Sequence, residues 1–237
     1  MVFIGPMGEV LGKHRKLFPS NREKVFHARG DASGLNVYDT SVRRLGGLIC
    51  YEHLQPLLKY ALISQGEQVH CAAWPGWPEF PSGRSNRHVI DACSRAHALE
   101  GQCFVVAASL YVPASAAEDA DLGNASWTFF GGSGIINPAG EYVAGPLHDQ
   151  EGIVYGDIDL GLIPLRKATI DTTGRDSMPQ TISLNVDTSR YSPIRWHGDR
   201  GADDRGADDG RGKTMAEPGE LPEHVEEVEG QARRPRG

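Results

Sequence analysis

The sequence has 237 residues, 39% of them hydrophobic, and a formal net charge of -7. That length and apolar content are enough for one sizeable core, and the negative field argues against nucleic acid or an anionic membrane surface as a partner. Four cysteines without C-x-x-C spacing, and no run long enough to span a membrane, predict a soluble cytoplasmic protein with free thiols.

Taken in order, residues 1–17 read as an apolar piece, a turn through Gly5, Pro6, Met7 and Gly8, and a second short strand through Val10 and Leu11. A polar loop or short helix containing Glu23 follows Pro19, and residues 34–38 and 44–49 read as two strands joined by a short turn. Over 55–66 the residues Leu57, Leu58, Ala61 and Leu62 fall at helical spacing, with Gly66 as a C-terminal stop. Residues 69–74 predict a buried strand, 85–101 a helix with Ile90, Cys93, Ala96 and Ala98 towards the core, and 103–109 another buried strand. Strand, helix, strand, helix, strand in this order predicts an α/β fold. A polar, alanine-rich loop spans 112–126, and residues 131–145 predict two glycine-rich strands turning at Asn137, Pro138, Ala139 and Gly140. The alternating GIVYGDIDL of 152–160 predicts an edge or penultimate strand, followed by a short helix over 162–171.

From Gly198 the character changes: DRGAD occurs twice in tandem and apolar residues almost vanish. Residues 198–237 hold 11 acidic and 7 basic side chains, so they carry over half of the net charge. Such a segment cannot bury enough surface to offset its ordering entropy. The expected organisation is a domain over 1–197 and a disordered tail over 198–237.

Candidate chemistry gathers at LGGLICYEH, residues 45–53, where an apolar run delivers Cys50 to the start of a polar segment. A cysteine at a strand end, near a helix N-terminus and cations, is a thiol that can ionise and attack. GKHRKL at 12–17 and PSNRE at 19–23 supply an ammonium and a carboxylate. Thiolate, cation and carboxylate together can run addition and elimination at a carbon–nitrogen centre. Each also has a plainer reading: Cys50 as a small buried hydrophobe, Lys16 as part of a solvated basic cluster, Glu23 as a surface carboxylate. Cys71, Cys93 and Cys103 lie in apolar patterns and read as core. Trp74 and Trp77, flanked by Pro75 and Pro78, are candidate walls of a substrate pocket, with packing as the other reading. Glu52, His53 and His70 have no ligand spacing, so no metal is expected.

GKHRKLFPSNRE followed by GGLICYEHLQPLLKYALISQGEQVH resembles the nitrilase branch of the carbon–nitrogen hydrolase (nitrilase/cyanide hydratase) family. The family pattern places a lysine in H-R-K-L-x-P-[ST]-x-x-E and a cysteine in C-[WY]-E-[NH]. The steps of 7 from Lys16 to Glu23 and 34 from Lys16 to Cys50 fit it. QVHCAAWPGWP, RAHALEGQCFVVAAS and GGSGIINPAGEYVAGPLHDQEGIVYGDIDL match as well, so the resemblance covers about residues 1–188.

The resemblance implies a nitrilase-like αββα sandwich and a Glu–Lys–Cys triad, with a second glutamate between lysine and cysteine. Carried over, Cys50 is the nucleophile, Lys16 stabilises tetrahedral species and Glu23 is the supporting glutamate. Tyr51, Glu52, His53 and Trp74 form the elbow or border the pocket. No metal or organic cofactor is implied; homo-oligomers are. Two departures stand out. The first glutamate of the triad lies farther upstream of the lysine than this sequence reaches, with only Glu9 before Lys16, so the N-terminal strands and helix of the sandwich are expected to be missing. GRDSMPQ at 174–180 stands where the family commonly has G-H-Y-S-R-P-D.

The expected function is hydrolysis of an organic nitrile to a carboxylic acid and ammonia through a cysteine thioimidate and thioester. Two alternatives remain open at this stage. One is a cyanide-degrading enzyme or amidase of the same fold; the other is an inactive fragment or pseudoenzyme that acts at most as an interaction partner. The sequence as given is expected to turn over little or no nitrile.

Overall fold

The computed structural model describes residues 1–20, 23–76, 87–113, 115–116 and 129–192, and Met1–Ser192 forms one unit. The predicted tail over 198–237, Trp77 and most of the predicted 112–126 loop lie outside the described residues.

β1 (Val2–Ile4) and β2 (Val10–Lys13) pair antiparallel about the predicted turn. Phe3 is buried, with its ring centroid 4.7 Å from that of Tyr38. The other described strands form one mixed sheet. They are β3 (Tyr38–Asp39), β4 (Arg44–Ile49), β5 (Val69–Trp74), β6 (Phe104–Ser109), β7 (Tyr111–Val112), β8 (Phe129–Ile136) and β9 (Tyr142–His148). Their order is β3-β4-β5-β6-β8-β7, with β9 also paired to β8. β4, β5 and β6 run parallel, which requires crossover connections. Helices α2 (Pro56–Ile63) and α3 (Arg87–Gly101) lie in those connections. β8 then joins β6 antiparallel. Two short helices, α1 (Glu23–Phe26) and α4 (Leu162–Lys167), complete the elements used below. The result is a mixed α/β fold around a central mixed sheet.

Alternation along β5 and β6 divides the core. Ala72, Trp74, Val105 and Ala107 pack with Phe130 and Ile136 against Ile90, Cys93 and Ala98 of α3, and Cys50 belongs to this cluster. Leu58, Ala61 and Leu62 of α2 cover Leu48. A third cluster joins Val69 and Phe104 to Ile163 of α4.

Several sequence expectations shift. Residues 34–38 do not form a strand: a 3-10 turn occupies Ala32–Gly34, capped by Asp31 accepting from the Ser33 N–H, and β3 is only Tyr38–Asp39. The predicted strand over 152–160 makes no ladder among the described residues. Its alternation comes from one-sided packing, because Ile158 and Leu160 lean on the third cluster while Ile153 and Tyr155 are exposed. Leu57 is exposed on α2, and on α3 Ser94 and His97 are buried while Ala96 is half-buried.

His97 belongs to a polar knot inside this apolar frame. Glu67, His70 and His97 are almost wholly buried. Glu67 Oε1 lies 2.8 Å from His70 Nδ1, its Oε2 lies 2.8 Å from His97 Nε2, and the two imidazoles stack at 3.6 Å. Gly46 pairs with His70 in the β4–β5 register, and a Cβ there would fall 2.0 Å from Glu67 Oε1. The carboxylate therefore occupies the space that any larger residue at position 46 would need. Burial pushes Glu67 up, but the charge of His70 and the hydrogen bonds from both histidines outweigh it and hold Glu67 at about 2. Burial first, and the charge of His70 second, push His97 down to about 4.

Gly46→Ala is expected to lower the unfolding free energy by about 1 to 3 kcal/mol through overpacking, measured by denaturant titration. The knot also sets an acid response, because both shifts make folding favour the less protonated form. The His97 contribution is complete above its ordinary value of 6.5 and is lost as pH falls towards 4. The Glu67 contribution is complete above 4.5 and is lost towards 2. The thermal midpoint is therefore expected to fall progressively below pH 6.5, and His97→Gln to flatten the upper part of that fall.

Candidate active site

Cys50 stands at the C-terminal end of β4 and opens a 3-10 helix, Cys50–Leu54. Its φ is +53°, a left-handed conformation that costs a non-glycine residue about 1 to 3 kcal/mol. The next three residues hold it there. The Tyr51 backbone N–H donates to the sulfur. Glu52 Oε2 accepts from the Ile49 N–H at 2.9 Å, and His53 Nδ1 lies 2.9 Å from the Cys50 carbonyl oxygen. Buried hydrogen bonds contribute about 1 kcal/mol each, so this set is of the size needed to offset the strain.

Lys16 and Glu23 meet beside the elbow. Lys16 Nζ is 2.6 Å from Glu23 Oε2 and donates to Ser20 Oγ at 2.9 Å. The same Glu23 oxygen accepts the Ser20 N–H at 2.7 Å and the Ser20 hydroxyl at 2.9 Å. Burial pushes the Glu23 carboxyl up, but the bond from Lys16 and the two from Ser20 prevail and hold it below the usual range. A carboxylate engaged by three donors is suited to fixing the ammonium, and less to taking a proton from substrate.

The electrostatics at Cys50 correct one expectation. Burial pushes the thiol up, and this outweighs the opposing pull, led by the Lys16 charge and the Tyr51 N–H. The Glu23 charge adds to the rise. The place of Cys50 in the chain predicts a thiol that can ionise and attack, but Cys50 is buried and near neutral pH it rests protonated. Attack needs a base, or alkali, to remove that proton. Glu9 does not fill this role, since it lies exposed on the hairpin and accepts the Met7 N–H at 3.0 Å.

Glu52 joins the two halves of the site. It is fully buried; Oε1 accepts the Leu17 N–H at 2.7 Å, and Oε2 accepts from Ile49 and lies 2.9 Å from His14 Nε2. Glu52 is thus an elbow residue, turned inward with its oxygens filled. Tyr51 is exposed. His53 is buried, stacked at 4.6 Å on Trp74, with Nε2 3.0 Å from His70 Nε2. Trp74 is buried in the core cluster that contains Cys50. A groove of about 560 Å³ lined by Leu57, Tyr60, Met178 and Leu184 has none of these residues in its walls. Glu67, His97 and Cys103 bring ligating atoms within 4.8 Å of one another, but both Glu67 oxygens are already paired with histidines.

Sequence reasoning missed Ser20, His14, Glu67 and His97. Ser20 carried a signal: S-x-x-E is the spacing at which a glutamate reaches back to the serine N–H, as Glu23 does. His14 and His97 have partners far along the chain and no local pattern, and Glu67 joins its near neighbour His70 to His97, 30 residues away.

The carbon–nitrogen hydrolase family model matches residues 1–167. The chain is 39% identical over 196 residues to an aliphatic nitrilase of Rhodococcus rhodochrous, covering 79% of this chain and 53% of that one. It is 36% identical over 197 residues to nitrilase 1 of Arabidopsis thaliana, covering 78% and 54%. In three dimensions it is similar to a carbon–nitrogen hydrolase of Helicobacter pylori G27, with a TM-score of 0.63 at 23% identity over 76% of this chain and 62% of that one. The chain spans a little over half the length of these two curated relatives. With the family model matched over most of the described unit, the chain belongs to the carbon–nitrogen hydrolase family.

Proposed function

We propose that this chain carries the nucleophile side of a nitrile-hydrolysing site, and that its sheet is one layer of an αββα sandwich to whose second sheet the β1–β2 hairpin belongs. The carrying observation is the left-handed Cys50 elbow next to a Lys16–Glu23 pair whose ammonium charge acts on the sulfur. An aliphatic nitrile is the substrate class that the 39% identical relative's name supports.

In this reading the Cys50 sulfur bonds to the nitrile carbon, and the thiol proton passes through a base to the nitrogen, giving a thioimidate. Lys16 stabilises the negative charge that develops on nitrogen. Water adds to the thioimidate carbon, the C–N bond breaks with release of ammonia, and a thioester remains. A second water cleaves the thioester to carboxylic acid and free thiol. Glu23 keeps Lys16 aimed. The base is the role that the family resemblance gives to a glutamate upstream of Lys16, and alkali can substitute for it by ionising Cys50 directly.

The test is intact-protein mass spectrometry of the 237-residue chain with an aliphatic nitrile above pH 9. A covalent adduct of the mass of the nitrile is expected on Cys50, accompanied by slow ammonia release. Both disappear in Cys50→Ala, and Lys16→Met slows adduct formation by about 10² to 10³. No adduct at Cys50 under alkaline conditions would overturn this reading and leave the inactive-chain alternative.

A further inference from the structure

Three buried histidines and Glu67 form one continuous hydrogen-bonded line that ends on the nucleophile's own backbone. It runs from the Cys50 carbonyl to His53 Nδ1, from His53 Nε2 to His70 Nε2, from His70 Nδ1 to Glu67 Oε1, and from Glu67 Oε2 to His97 Nε2. All four side chains are almost inaccessible to solvent.

Hydrogen-bond chemistry fixes the protons along this line. A carbonyl only accepts, so His53 Nδ1 carries a proton. If His53 is neutral, its Nε2 accepts and His70 Nε2 must donate. The Glu67 carboxylate then accepts from His70 Nδ1 and His97 Nε2. His70 therefore holds both ring protons as an imidazolium paired with Glu67, and His97 is neutral. The bare Nδ1 of His97 has no partner among the described residues, as a neutral ring of this tautomer leaves it. The same proton count could place the charge on His53, but His53 meets a carbonyl and an indole face, whereas His70 meets a carboxylate. The other charged or titratable groups acting on this line are Lys59, which acts on His97, and Cys71 and Cys103, which feel Glu67.

We propose that His53 is a positioning residue: its Nδ1–H holds the Cys50 carbonyl and with it the left-handed backbone that presents the sulfur, and the His70–Glu67 ion pair locks His53 in that tautomer. Losing the bond lets Cys50 relax out of the left-handed region, away from the Tyr51 N–H and the field of Lys16 that lower the cost of the thiolate. This role rests on Cys50 being the nucleophile, but its test does not require nitrile turnover.

Two measurements on the 237-residue chain decide it. In ¹⁵N-histidine NMR spectra at neutral pH, His53 is expected as a neutral Nδ1–H ring and His70 as an imidazolium. A charged His53, or one protonated only at Nε2, would overturn the proposal. In the second, the alkylation rate of Cys50 by iodoacetamide is compared in two variants, with Cys50→Ala setting the background. His53→Asn keeps a donor at the δ position and is expected to stay within about twofold of the unaltered chain, whereas His53→Gln moves the donor away and loses about tenfold. A role in packing alone predicts that the two fall together; equal losses, or none in either, would overturn the proposal. If His53→Gln fails to fold, the NMR result on the unaltered chain decides alone. Should alkylation split as expected while no nitrile adduct forms, the positioning role stands and the hydrolytic reading falls.

Discussion

The candidate site depends on one buried carboxylate. Glu52 collects donors from three places: His14 at the end of the hairpin, the Leu17 N–H next to Lys16, and the Ile49 N–H next to Cys50. His14 and Leu17 lie 38 and 35 residues from Glu52 in sequence, so no local geometry brings them to the elbow. A carboxylate without water is expensive unless its lone pairs are filled, and here the filling is also the assembly. The bonds from His14 and Leu17 draw the lysine segment towards the cysteine, and the bond from Ile49 fixes Glu52 to the elbow. Removing the carboxylate would leave two backbone N–H groups without their acceptor and break the bonds that tie the lysine segment to the elbow.

The same economy of charge governs the reactive groups. Burial disfavours the thiolate of Cys50, and Lys16 works against that penalty without overcoming it. Glu23 holds the ammonium and is engaged by Ser20, so it does not compete for the thiol proton. The outcome is a thiol in position but protonated, and in the proposed reading its ionisation is left to a separate base. Behind it, the line of histidines and Glu67 reaches the Cys50 carbonyl through His53 alone, so it acts on backbone shape and not directly on the charge of the thiol.

Much of this was legible in the sequence where residues speak through spacing. Cys50, Lys16 and Glu23 were found because their separations match a family pattern, and β4, β5 and β6 because buried parallel strands read as short apolar runs between helices. What escaped was what the tertiary fold alone creates. Glu67 and His97 are 30 residues apart and meet because α3 returns across β5 and β6. On α3 the apolar spacing pointed to Ala96, yet His97 takes the core face with Ser94, where it pairs with Glu67. The alternating run at 152–160 misled for a related reason: period-two burial needs a surface to lean on, and the cluster around Ile163 supplies one without a strand partner.

The claim that Glu52 assembles the site is tested most directly by a double-variant cycle on the pH dependence of Cys50 alkylation. Lys16→Met and Glu52→Gln are each expected to move the alkylation midpoint to higher pH, the first by removing the ammonium and the second by releasing it from register. The double variant is expected to move it no further than the larger single shift, as for residues acting through one arrangement. A Glu52→Gln curve that overlies that of the unaltered chain, or shifts that simply add, would contradict the account.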